Sequence, residues 1–128
     1  MTPTISIRSL HLEYQLWMRE LTFYKEEIKI FEAHLEILVS NNTAMEVRAG
    51  VEHFQNQFIC HKEVIDRLKH NLNVSEKQLA AYASDLSGSG IENGRLDNHP
   101  VLREEMIIFR KIYKELKTEF RRFEAQWI

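Results

Sequence analysis

The side chains best suited to chemistry in this sequence are six histidines, at positions 11, 34, 53, 61, 70 and 99, and a single cysteine, Cys60. Helical bundles that bind two metal ions use Glu-x-x-His pairs projecting inward, because residues three apart share a helix face. None of the six histidines has Glu or Asp three residues before it, and no two histidines lie three or four apart. Asp66 with His70 is the one acid-histidine pair at helical spacing, and a metal asks for three or four ligands. A site assembled across helices has better material. Glu20, Glu27 and His34 fall in the apolar sector of one stretch, and His53, Gln57 and His61 lie on one side of another. His53, Gln57, His61, Glu27 and His34 are therefore the candidate lining of a polar pocket.

His61 is the most unusual of these, because it takes the place of a core residue between Phe58 and Ile65. Its simpler role is a partly buried histidine that fixes register through one hydrogen bond. Cys60 and His61 point about 100° apart on a helix, so their adjacency argues against a nucleophilic pair. There is no Gly-x-Ser-x-Gly elbow. The stretch Ser87-Gly88-Ser89-Gly90 lacks both the strand before it and the lysine after it that a phosphate cradle requires. The sequence predicts no enzyme, and with it no catalytic residue, metal centre or cofactor.

The elements that must position these residues are helices. Proline occurs only at Pro3 and Pro100, and glycine only at Gly50, Gly88, Gly90 and Gly94, which leaves two long uninterrupted stretches and one polar gap. A tighter break at Ser40-Asn41-Asn42 precedes a capping box, Thr43-Ala44-Met45-Glu46. Apolar residues recur at three-four spacing along each stretch. Leu10, Tyr14, Trp17, Leu21, Tyr24, Ile28, Phe31, Leu35 and Leu38 form the first row. The second runs from Ala44 and Val47 to Tyr82 and Leu86, with His61 and Ser75 as its polar members. The third runs from Leu102 through Met106, Phe109, Tyr113, Leu116, Phe120 and Phe123 to Trp127. The pattern predicts an all-α, up-down-up bundle of three long amphipathic helices over 7–39, 43–86 and 99–127, forming a single domain.

Such helices are unequal in length. If the second is continuous, residues near Leu79 to Leu86 and Val101 to Ile108 have one helical neighbour each. The competing reading breaks it near Asn71-Leu72-Asn73 and makes three nearly equal helices. A charge pattern speaks to the same question: Glu13, Glu20 and Glu27 repeat every seven residues on the first helix, as do Arg103, Arg110 and Lys117 on the third. These series pair in register only if the two helices start level.

Beyond the main rows lie surplus apolar residues, Leu16, Phe23, Ile30 and Ile37 on helix one and Val101, Ile108 and Ile112 on helix three. A wide core or a self-association surface would use them, and a second copy of the chain would complete a larger bundle. Arg103, Arg110, Lys111, Lys114, Lys117 and Arg121 form a basic stripe on helix three, read as a solvated or salt-bridged face rather than a nucleic-acid surface.

Composition agrees. The chain has 128 residues, 44% of them hydrophobic, and a formal charge of −2, too small for a field that would select nucleic acid or an anionic membrane. One cysteine, no secretory leader pattern and no apolar run near the roughly 18 residues of a membrane span predict a soluble, cytoplasmic protein. The likeness to metal-binding up-and-down bundles stops at architecture. The expectation is a non-enzymatic interaction or scaffold protein, homodimeric or bound to another helical protein; the alternative is a metal- or small-ligand-binding bundle using buried His and Glu residues.

Overall fold

The computed structural model describes residues 7–84 and 98–127. Three helices account for all of them except a short turn at 42–44: α1 (Ile7–Asn41), α2 (Met45–Ser84) and α3 (Asn98–Trp127). They form a three-helix bundle, and the described residues contain no strand.

Each helix exists because its three-four row buries an apolar stripe against the other two. On α1 the row from Leu10 to Leu38 is buried except for Tyr24, which is half-buried. Two side chains bond back onto its last turns: Ser40 Oγ donates to the Glu36 carbonyl at 2.9 Å, and Asn42 Nδ2 to the Leu38 carbonyl, one of the last four, at 3.0 Å. The first bond of α2 runs from the Arg48 amide to the Ala44 carbonyl. That places the helix start one residue beyond the one the Thr43 capping box predicts, and Ala44 is exposed rather than part of the seam.

α2 continues without interruption past Asn71-Leu72-Asn73. Leu72, Ser75, Leu79 and Tyr82 all stay buried, so the polar Ser75 occupies the seam without breaking it. Leu86 lies outside the described residues. The expected overhang does not occur as far as Leu79: Glu13 meets Arg103, so α1 and α3 start level, and His11 of α1 meets Glu76 of α2. Leu79 and Leu102 are 2% and 4% exposed and belong to the same core as everything else.

α1 and α2 are the most closely packed pair, an antiparallel hairpin. α3 packs on that hairpin through rings. Phe120 lies 4.9 Å from Phe31, 5.4 Å from Phe54 and 5.2 Å from Phe58 between centroids. Tyr24 meets Tyr113 at 4.5 Å. The Phe123 ring of α3 lies directly against Gly50 of α2. A Cβ there would fall 2.3 Å and 2.6 Å from the ring atoms of Phe123, which is why a residue that weakens a helix interior sits in this one. Among the described residues, no helix is long and apolar enough to cross a membrane.

Candidate functional site

The polar side chains of the bundle concentrate along the seam between α1 and α3, and heptad spacing is what brings them together. Arg103 bonds Glu13 at 2.9 and 3.0 Å through Nη2, Arg110 bonds Glu20 at 2.6 Å, and Lys117 bonds Glu27 at 2.9 Å. Two tyrosines tie this ladder to the core: Tyr24 donates to Glu20 and Tyr113 to Glu27, each at 2.6 Å. Burial works against the charge on Glu20, but the bonds from Arg110 and Tyr24 outweigh it and hold that carboxyl below its ordinary range. Burial first, then the carboxylates they donate to, push both tyrosine hydroxyls well above the ordinary tyrosine range.

At each end of the ladder stands a group that the main apolar rows do not include. His99 is 4% exposed and stacks on Trp17, ring centroids 5.7 Å apart and planes 12° from parallel. Arg103 Nη2 donates to its Nε2 at 3.1 Å, which assigns the ring proton to Nδ1, and Nδ1 donates to the Tyr14 hydroxyl at 3.3 Å. Burial, reinforced by Arg103 and opposed by Glu13, lowers the histidine below its ordinary value, in keeping with a neutral ring. At the other end, His34 Nδ1 donates to Glu124, a carboxylate 7% exposed that also lies 3.6 Å from Arg121. Neither pairing was expected from the sequence, although it holds a positional signal for each. His99 continues the α3 seam one step before Leu102, and His34 and Glu124 extend the two charge series by one heptad with the sign reversed.

Of the five pocket candidates, the structure brings three together. His53, Gln57 and His61 form the α2 wall of a depression of about 240 Å³, whose α3 wall includes Ile112, Glu115 and Glu119. Glu27 and His34 are instead in the α1–α3 seam, paired with Lys117 and Glu124. His61 is 7% exposed; its Nδ1 donates to the Gln57 carbonyl at 2.8 Å, and its Nε2 is buried with no partner. Its ring packs toward Phe109 and Tyr113. Two further depressions of about 420 Å³ each continue along the α2–α3 seam; the first shares Ile112 with the 240 Å³ depression, and the two have Asn71 and Glu105 in common. Among the described residues, no three His, Cys, Asp or Glu side chains group closely enough to hold a metal ion.

The basic stripe divides in two. Arg103, Arg110 and Lys117 are engaged with α1, and Arg121 lies near Glu124, while Lys111 and Lys114 are exposed on the outer face. The surplus apolar residues are all exposed. Leu16, Phe23, Ile30 and Ile37 range from 55% to 58%, and Val101, Ile108 and Ile112 from 45% to 56%. Cys60 is exposed as well. No protein-family model matches the chain, and no curated protein or solved structure matches it either.

Proposed function

We propose that this chain is a non-enzymatic interaction or scaffold protein that works by laying an exposed apolar helix face against another helical surface, in the first instance a second copy of itself. One observation carries the reading. α1 presents a row of four large apolar side chains at strict seven-residue spacing, each more than half exposed, on the side away from a core that is already complete. Scattered apolar residues on a surface are ordinary, whereas a contiguous row marks a contact. The titratable residues that the fold brings together hold one another in the α1–α3 ladder, which supports an architectural rather than a chemical role for them. Light scattering on the purified chain at tens of micromolar is the test: a dimer or larger species is expected, and a strictly monomeric mass would count against the proposal.

A second reading has its own observation, the unpartnered Nε2 of His61 beside a depression edged by Glu115 and Glu119. A metal ion or small polar ligand would be taken there. Metal analysis, with thermal melts run with and without chelator, separates the two; no metal and no shift removes this reading.

A further inference from the structure

α1 carries two heptad rows, one turned to the core and one turned away from it. In the outer row, Leu16, Phe23, Ile30 and Ile37 occupy one position of the repeat. Leu12, Arg19, Glu26 and Ala33, all exposed, occupy the position four residues before the next member. Alternation of three and four is the spacing by which one helix packs along another. We propose that this outer row docks against the same row of a second copy, α1 against α1, antiparallel about a two-fold axis beside Phe23. This rests on the reading of the chain as a self-associating module and assigns the surface that does it.

Charge selects the direction. Arg19 and Glu26 stand on either side of the middle of the row, and neither makes an ion pair among the described residues. An antiparallel pair with Phe23 beside the partner's Phe23 brings Arg19 within one residue of level with the partner's Glu26. The same register sets Leu16 level with the partner's Ile30, and Leu12 within one residue of level with the partner's Ala33. At the rim, Arg8 comes within two residues of level with the partner's Glu36. A parallel pair in register would instead set Arg19 on Arg19 and Glu26 on Glu26, which repels. The flanking Glu20 and Glu27 do not oppose the antiparallel approach, because Arg110 and Lys117 already neutralise them from α3.

The area is also of the right scale. Half-exposed leucine, isoleucine and phenylalanine side chains each present on the order of 100 Å². Five of them with their polar flanks approach the roughly 800 Å² per partner that a stable dimer buries. Because the contact uses one patch twice, it closes at two copies and leaves no sticky end.

Sedimentation equilibrium on the full chain tests this, with circular dichroism confirming that each variant is folded. The parent chain is expected to be a dimer. Phe23→Glu, at an exposed position, is expected to give a monomer, while Ile108→Glu on the α2–α3 side leaves the dimer intact. Arg19→Glu is expected to weaken the dimer about tenfold by setting two acids against each other, and Arg19→Glu combined with Glu26→Arg to restore it. A parallel pair would respond to neither change. A dimer that survives Phe23→Glu, or one that the double exchange fails to restore, overturns the assignment. Loss of the dimer with Ile108→Glu alone would keep self-association and move it to the other face, and a chain monomeric at every concentration would sink both.

Discussion

The two flanks of α3 are held in different ways. Toward α1 the helix presents Arg103, Arg110, Lys117 and Glu124 at every seventh position, and each meets an opposite partner. Toward α2 it presents Glu105, Ile112 and Glu119, and α2 answers with His53, Gln57, Val64, Arg67 and Asn71, of which only Arg67 is a permanent cation. Among the described residues no ion pair joins α2 to α3, and three adjoining depressions run along that seam. The charges therefore set the level of α3 against α1, while the attachment of α3 to α2 rests on rings and apolar volume. The zipped flank need not be the stronger one. Exposed ion pairs contribute roughly 0 to 1 kcal/mol each, whereas removing a buried phenylalanine side chain costs about 3 to 5 kcal/mol.

The largest effect should come from that apolar attachment. Phe120 is fully buried between Phe31, Phe54 and Phe58, so Phe120→Ala is expected to lower the unfolding free energy by about 4 kcal/mol in a urea titration. A loss below about 1 kcal/mol would mean the ring cluster is not what holds α3. Next comes Gly50→Ala. In an open helix this change stabilises by about 1 kcal/mol; here the new methyl meets Phe123, and a net loss of about 1 kcal/mol is expected. Combining it with Phe123→Leu should turn the loss back toward a gain, and if both backgrounds respond alike the close approach is not the reason for the glycine.

A smaller change, of opposite sign, is expected at His61. Replacing it by leucine removes a buried nitrogen that has no partner, so His61→Leu should stabilise the protein by about 1 kcal/mol, read as a rise of a few degrees in Tm. Destabilisation would show that the ring makes a contact worth more than its orphaned nitrogen costs.

The zipped flank should respond most gently, and to pH. His99 has a folded value below its ordinary 6.5. The unfolded chain therefore takes up that proton more readily, and the contribution is complete above about pH 6.5 and is lost as pH falls through the lower folded value. Glu20, also lowered, acts in the same sense from its ordinary 4.5 downward. Melting temperature is thus expected to fall in two stages on acidification. His99→Gln should abolish the first stage only and Glu20→Gln should flatten the second; an unchanged profile in both would remove the ladder from the account of pH stability.

The described helix ends fall within two residues of the periodic pattern, because a three-four row has one way to bury its apolar side. The ladder partners were legible as well, since both charge series share a seven-residue period. The site was less so. His53, Gln57 and His61 share a face of α2 by helix geometry alone, but nothing in their spacing names Glu115 and Glu119 as the residues opposite. Glu27 and His34 were drawn toward that group by residue type, yet each had a complementary neighbour across a different seam.

The order and kind of the helices, the identity of most core residues and the pairing of acids with bases every seven positions follow from the chain's own periodicity, which is local. What only tertiary structure decided is how the three rods share one level. An uninterrupted α2 and a level start for α1 and α3 looked like rival solutions in the sequence, and the folded chain has both: Glu13 pairs with Arg103 while His11 pairs with Glu76 on an unbroken α2. The same holds for His99, Gly50 and the unpartnered nitrogen of His61: their significance depends on which ring or donor lies across the interface, and helical periodicity carries no record of that distance.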